Sequence, residues 1–325
     1  MPAFVVLTLV FCGVLGARLL FLRRQSDYKN AAFYKVLYTP VGFQLAIFGR
    51  RLFGRWISER FCELSGLAYA LTHAETLAAI RNNMAMLDPT RASKTHAIRN
   101  CITQGYNFLE FAELWLKKKG ELHRMIGEQI GLEELQKARA QKKGCILVTG
   151  HLGFFELGGP LMAELGFPMV TLTLPEPSEA LTQWRAEFRL RWGVRTLVVG
   201  GDAFSAVEIT RELRAGTFVA LLADRPFNEH TVPIPLPHGE ILFSTAPVMV
   251  ALLSGAPIIP VGLTLQADGK HRVEARPMIT PQWLPEGREA TLHHFTQKLA
   301  QELTPMFVKA PEQWHHFSDL AVSRP

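Results

Sequence analysis

The chain has 325 residues, 48% of them hydrophobic, and a formal net charge of +6 at neutral pH. Its length predicts one or two domains, and its apolar content, with 21 Phe and six Trp, excludes an intrinsically disordered chain. Its four cysteines are scattered and include no Cys-x-x-Cys pair, which favours reduced thiols in a cytoplasmic setting over a disulfide framework or a zinc site.

The first predicted element is an apolar N-terminal helix. Residues 3–22 are interrupted by a single charge, Arg18, and provide about the 20 residues that span a bilayer. From Arg18 to Arg60 basic residues greatly outnumber acidic ones, so the positive-inside rule places the rest of the chain on the cytoplasmic side. We therefore predict a transmembrane or membrane-anchoring helix over residues 1–24, with a buried helix or an interfacial helix as alternatives.

A basic, helical, membrane-proximal region is predicted over residues 25–130. Its first apolar run, Val36–Gly49, is too short to span a membrane comfortably and suits either a helix against the membrane surface or a core helix. Apolar residues then recur at helical spacing over Glu59–Leu87 and Arg91–Lys119. Because no basic tract is interleaved with aromatic residues, the positive charge favours anionic lipid over nucleic acid as a partner.

The stretch CILVTGHLGFFE, residues 145–156, carries the first candidate chemistry. Its apolar start fits a buried strand, Cys145–Thr149, and Gly153 marks a tight turn after it. A hydrogen-bonded pair of His151 and Glu156 could take a proton from a hydroxyl. The spacing alone is a weak signal, because a histidine and a glutamate this close together are more often structural.

From about residue 131 strands and helices alternate, which predicts an α/β domain over residues 131–325 with a mostly parallel sheet flanked by helices. Ligands of such sheets bind at the carboxyl ends of the strands, where both His151 and Asp224 fall. The candidate strands are Cys145–Thr149, Met169–Leu174, Thr196–Val199, Phe218–Ala223 and Ile258–Leu263, with helices such as Glu179–Trp192 and Ala203–Arg214 between them.

The segment HLGFFE resembles the His-x-x-x-x-Glu motif of the bacterial lipid A biosynthesis acyltransferases, a branch of the lysophospholipid acyltransferase superfamily. Further similarities follow in the family's order, and together they cover roughly residues 60–320. They are Arg189-x-x-x-Gly193, the Leu-Arg-Ala-Gly turn at 213–216 before a strand and Asp224, and APEQWHHFSDL at 310–320, where the family commonly has Pro-Glu-Gln-Trp. The fold that the resemblance implies is glycerolipid acyltransferase-like.

The resemblance implies a catalytic pair. His151 would take the proton from an acceptor hydroxyl, and Glu156 would orient the ring and stabilise the imidazolium. Arg189 would polarise the acyl carbonyl or hold a phosphate of the acceptor. The oxyanion would be met by backbone N–H groups near Gly153 or by Arg189.

Two further positions are expected to bind substrate. Asp224 follows the apolar strand, and Arg225 stands where the family has Gln, which adds positive charge near the site. Trp314 and the pair 315–316 are interpreted as structural. The two histidine pairs, 293–294 and 315–316, have no carboxylate or cysteine spaced to complete a metal site, so no metal is predicted.

The resemblance therefore implies a membrane-bound O-acyltransferase on the cytoplasmic face of a bacterial inner membrane. The donor would be acyl carrier protein or a CoA thioester, with no other cofactor. The acceptor would be a glycolipid, such as a lipid A precursor, a phosphatidylinositol mannoside or the head of an aryl polyene-type lipid, with a lysolipid acceptor as an alternative. The alternatives are a non-catalytic lipid-binding or scaffold protein and, disfavoured because no Gly-x-Ser-x-Gly nucleophile is present, a thioesterase or lipase.

Overall fold

The apolar run at 145–149 forms the central strand of the fold. The computed structural model describes residues 39–200, 203–225 and 230–320. The strands within these ranges are β1 (Ile126–Ile130), β2 (Cys145–Thr149), β3 (Met169–Thr173), β4 (Val194–Val198), β5 (Phe218–Leu222), β6 (Thr231–Leu236), β7 (Gly239–Ser244), β8 (Ile258–Leu265) and β9 (His271–Ala275).

Seven of these strands form one sheet in the order β1-β9-β8-β2-β5-β3-β4. Neighbouring strands run parallel except β8 and β9, which form an antiparallel pair. Strands β6 and β7 form a separate antiparallel hairpin. The predicted α/β class with a mostly parallel sheet is confirmed, and each of the five predicted strands is present within two residues at either end.

Helices cover both faces of this sheet. In the described part of the chain they are α1 (Pro40–Thr72), α2 (Ala74–Leu87), α3 (Lys94–Leu116), α4 (Leu132–Ala140), α5 (Gly158–Glu164), α6 (Glu179–Arg191), α7 (Ala203–Arg214), α8 (Ala246–Ser254) and α9 (Arg288–Lys309). Short 3₁₀ helices occupy Pro89–Arg91, Leu122–Met125, Phe155–Leu157 and Pro311–Gln313.

Strand β2 is buried on both faces, which explains why its sequence is apolar without alternation. Ile146 and Val148 pack into one hydrophobic core with helices α7, α8 and α9. Cys145 and Leu147 point the other way, into a second core with α3, α5 and α6. Each fully buried aliphatic side chain of this kind contributes about 1.5–3 kcal/mol. The two cores therefore fix the position and direction of the chain segment that follows the carboxyl end of β2.

Helix α1 lies against α3 and is broken at Gly54, whose φ of +77° is left-handed. The two helices approach closely, since a Cβ at Gly66 would lie 2.7 Å from the Cα of Ile102. The opposite face of α1 carries large exposed apolar side chains at helical spacing. They are Val41, Leu45, Phe48, Leu52, Trp56, Leu64, Leu67 and Leu71.

A network of ion pairs and hydrogen bonds joins α1 to α3 and β9. Arg55 Nη2 lies 2.8 Å from Glu110, and Arg50 pairs with Glu113. Glu110 also lies 3.2 Å from Nε2 of His271, and both of these side chains are almost completely buried. The position of α1 relative to the sheet is therefore fixed by polar contacts as well as by packing.

The predictions for the N-terminal region are tested only in part. The helix predicted over residues 1–24 lies outside the described residues, as do the first three residues of the run 36–49, whose remainder opens α1. The prediction of one helix over Glu59–Leu87 is wrong, because α1 ends at Thr72 and α2 begins at Ala74. The residue between them, His73, bonds back through its ring to the carbonyl of Tyr69 at 3.0 Å. In the described ranges no helix is long and apolar enough to cross a membrane.

Candidate active site

Two in-register strands bring His151 and Asp224 together. Strands β2 and β5 run parallel, and Thr149 at the end of β2 pairs with Leu222 at the end of β5. His151 and Asp224 each follow two residues later, so they reach the same edge of the sheet. Nδ1 of His151 lies 2.8 Å from Oδ1 of Asp224, and the backbone N–H of His151 donates to Oδ2 at 2.8 Å.

Asp224 is completely buried and accepts from two further donors. Nε1 of Trp314 and Nε2 of His316 each lie 2.8 Å from Oδ2. Burial by itself raises the pKa of Asp224, but the attraction and hydrogen bonds of His151 and His316 outweigh it and hold that pKa well below its ordinary value. Asp224 is therefore an ionised, acceptor-only carboxylate.

This charge state fixes the tautomer of His151. Because an ionised carboxylate only accepts, Nδ1 of His151 must carry the proton, and Nε2 keeps its lone pair when the ring is neutral. About a quarter of the His151 side chain is exposed, and the residue lines the wall of a large cavity. The arrangement is that of a general base held by a buried carboxylate.

The cavity is mostly apolar and has a volume of about 1430 Å³. It lies at the His151 edge of the sheet, and its lining comes from α3 and α6 on one face and from α7, α8 and α9 on the other. Its aromatic wall includes Phe43, Phe111 and Phe154, all less than 5% exposed. Phe43 and Phe111 stack with Trp184 at centroid distances of 4.9 and 5.6 Å, which makes this wall rigid.

The predicted hydrogen bond between His151 and Glu156 is wrong. Glu156 lies in the 3₁₀ helix Phe155–Leu157, which directs its side chain towards α6. There it accepts from Nη2 and Nε of Arg189, at 2.7 and 3.1 Å, and from Arg185. Burial raises the pKa of Glu156, but the two guanidinium groups outweigh it and lower that pKa to about 2.

Arg189 is consequently engaged within the protein. Its side chain is 5% exposed, and Nε and Nη2 both donate to Glu156. The neighbouring Arg185 bridges Glu156 and Glu176, the latter at 2.6 Å, so the charges of this cluster balance. Arg189 lines the cavity, but its contact with substrate stays a prediction.

Gly153 makes the tight turn that the sequence predicts. Its φ is +55°, and a Cβ there would lie 2.0 Å from the carbonyl oxygen of Leu263. Its N–H donates to the carbonyl of Gln313 at 2.8 Å. The N–H of Gly153 itself is therefore not available for the oxyanion that the sequence motif assigns to backbone N–H groups near this residue. Gly153 and the exposed Arg225 both line the cavity, and their role in binding substrate stays a prediction.

The residues that the sequence interpretation missed lie in the C-terminal segment, residues 310–320. This segment runs alongside 151–153: Leu152 and Trp314 form an antiparallel bridge, and the N–H of His315 donates to the carbonyl of His151 at 2.7 Å. Trp314, interpreted as structural, is buried in the core and also donates its indole N–H to Asp224. The only signal for these contacts in the sequence was the run PEQWHHF, and its spacing does not reveal that Asp224 is the partner.

His151, Asp224 and His316 also place potential metal-ligand atoms within 4.8 Å of one another. The same atoms lie at hydrogen-bond distances of 2.8 Å, and Trp314 and the backbone of residue 151 satisfy the carboxylate further. These contacts account for the arrangement as a hydrogen-bonded network.

The chain belongs to the bacterial lipid A biosynthesis acyltransferase family, which it matches over residues 32–320. This confirms the family expected from the sequence motifs. The chain is also 23% identical, over 197 residues, to the phosphatidylinositol mannoside acyltransferase of Mycolicibacterium smegmatis (strain ATCC 700084 / mc(2)155). The similarity covers 59% of this chain and 62% of that relative.

Proposed function

We propose that the protein is a membrane-bound O-acyltransferase that moves a fatty acyl chain from a thioester to a hydroxyl of a glycolipid. The observation that supports this best is His151, held by the buried Asp224 with its Nε2 lone pair available, at the wall of an apolar cavity. A scaffold protein would need no such pairing of a partly exposed base with a large cavity.

In the proposed reaction Nε2 of His151 takes the proton of the acceptor hydroxyl as its oxygen attacks the thioester carbonyl. Asp224 stabilises the imidazolium that forms. The C–S bond then breaks, and the imidazolium returns the proton to the leaving thiolate. The ester and the free thiol are the products, and no acyl-enzyme is required.

The cavity supplies the acyl-binding part of the proposal. Its apolar walls would take up the fatty chain, and each buried CH₂ contributes about 0.8 kcal/mol. Binding energy of this kind, remote from the ester, can hold the thioester carbonyl beside His151. The donor is an acyl carrier protein or a CoA thioester.

The outer face of α1 supports a membrane-bound enzyme. The large exposed apolar side chains described above form a stripe of a kind rarely left in water. Exposed Arg51 and Arg60 lie on the same helix, and basic residues near anionic lipid contribute about 1 kcal/mol each. We place this face on the cytoplasmic side of a bacterial inner membrane. An N-terminal anchor would strengthen the attachment to that membrane.

For the acceptor we propose a lipid A precursor, because the chain belongs to the family of that name. The mycobacterial relative acylates a phosphatidylinositol mannoside by its name, so that glycolipid is the second candidate. Arg225, exposed at the cavity beside Asp224, suits an anionic headgroup in either case.

The test uses the purified full-length protein in detergent with radiolabelled acyl-carrier-protein and acyl-CoA donors and a panel of glycolipid acceptors. The variants are His151→Gln and, as a matched control, His293→Gln on the exposed face of α9. We expect acylated lipid from the wild type and the control, and at least about a hundredfold less from His151→Gln.

Transfer that survives in His151→Gln would contradict the role of His151 as base. Release of free fatty acid without acylated lipid would favour a thioesterase. Tight binding of glycolipid without transfer from either donor would favour the non-catalytic lipid-binding alternative.

A further inference from the structure

Asp224 has more hydrogen-bond donors than the orientation of His151 requires. Oδ1 accepts from Nδ1 of His151, whereas Oδ2 accepts from the His151 backbone, Trp314 and His316, all at 2.8 Å. Two of these donors belong to side chains that the proposed reaction does not use. Both are completely or almost completely buried, and His316 is held among Asp224, Trp314 and His151.

Each donor to a carboxylate stabilises its negative charge and leaves less of that charge for the remaining partner. Trp314 is a neutral donor. Burial lowers the pKa of His316, although Asp224 opposes this, so His316 is a second neutral donor. Together they weaken the attraction between Asp224 and a protonated His151.

We infer that Trp314 and His316 are positioning residues that set the basicity of His151 through their hydrogen bonds to Asp224. The inference rests on the proposed function, in which His151 is the base. By moderating Asp224 they keep His151 unprotonated at a lower pH than a carboxylate without these donors would allow.

In the described part of the chain, four titratable residues act on His151 or on the cluster around it. Asp224 contacts it directly, the ring of His316 lies 5.1 Å from its ring, and His315 and Arg225 act on this cluster electrostatically. Burial, followed by the effects of His316 and His151, lowers the pKa of His315 to about 3, so this residue stays neutral.

The Trp314 side chain allows a conservative test. It stacks on Phe307 with centroids 5.3 Å apart, so Trp314→Phe keeps an aromatic ring in place and removes the N–H. His316→Leu removes the other donor, and His316→Gln restores an N–H that can reach the carboxylate. Trp283→Phe, at an exposed tryptophan, is the matched control.

The experiment follows the titration of His151 by NMR in the full-length protein, labelled at histidine and held in detergent micelles. The signal is assigned from its loss in His151→Gln. We expect Trp314→Phe and His316→Leu each to raise the titration midpoint by about half a pH unit or more. The acid limb of the kcat/KM profile should rise equally, while His316→Gln and Trp283→Phe should match the wild type.

An unchanged or lowered midpoint in Trp314→Phe overturns the inference, even if His316→Leu does not fold. The NMR titration does not depend on turnover, so the two proposals fail separately. A raised midpoint without acyl transfer by the wild type would leave the tuning intact and reject the enzyme function. Acyl transfer by the wild type, with no raised midpoint in the variants, would support the enzyme function and reject the tuning of His151.

Discussion

Replacing Glu156 by Gln tests whether this carboxylate is structural, as its contacts with Arg185 and Arg189 indicate. A pKa lowered from the ordinary 4.5 to about 2 corresponds to about 3 kcal/mol of stability at neutral pH. Removing one partner of a buried ion pair costs about 3–5 kcal/mol, which agrees. We therefore expect Glu156→Gln to lower the free energy of unfolding by about 3 kcal/mol.

The pH dependence gives a second measure of the same quantity. The folded pKa of Glu156 is depressed, so its contribution is fully present above pH 4.5 and is lost as the pH falls towards 2. Urea unfolding of the full-length protein in detergent, repeated from pH 7 downwards, should show the difference between wild type and Glu156→Gln shrinking below pH 4.5.

The matched control is Glu176→Gln, since the Glu176 carboxylate pairs with one arginine, Arg185 at 2.6 Å, and is 11% exposed against 10% for Glu156. It should lose less stability. The reasoning would be refuted by a Glu156→Gln protein that unfolds like the wild type yet transfers no acyl chain, because Glu156 would then act in the chemistry itself.

Three other predictions follow from local geometry. Gly153→Ala should lower the thermal midpoint strongly, because the new Cβ would lie 2.0 Å from a backbone carbonyl oxygen of β8. Its control is Gly216→Ala, where the backbone is also left-handed but the Cβ would meet no atom; this variant should lose only about 1 kcal/mol of stability. Asn83→Ala should make the C-terminal segment sensitive to limited proteolysis, because the Asn83 amide makes three hydrogen bonds to that segment; unchanged cleavage would contradict this. Trp56→Phe should reduce the quenching of tryptophan fluorescence by anionic vesicles of brominated lipid and Trp283→Phe should not, since Trp56 is 70% exposed on the apolar face of α1; equal quenching in both would refute contact of that face with lipid.

The sheet was predictable because its signals are local. Strands β2 and β5 are apolar runs bounded by turn residues, and β2 is buried along its whole length, as such a run predicts. The hairpin β6–β7 was not predicted, because Pro233 and Pro235 interrupt its first strand. These residues form a strand because they pair with β7, and the sequence alone does not reveal that pairing.

The site was predictable only where strand ends determine it. His151 and Asp224 could be placed at one edge from the α/β pattern, although their direct contact depends on the register of β2 with β5. Glu156, five residues from His151, looked like the natural partner. A single 3₁₀ turn sends it to the arginines of α6 instead, and spacing along the chain cannot report that direction.

The C-terminal segment completes the surroundings of Asp224 from a distance of about 90 residues along the chain. During synthesis on the ribosome, β2 and β5 emerge long before Trp314 and His316. A nascent chain can therefore pair β2 with β5 while the proposed base still lacks two of the donors to Asp224 and the cavity still lacks the part of its lining that residues 315–318 supply. The surroundings that we propose for His151 are therefore complete only after this segment has docked beside residues 151–153.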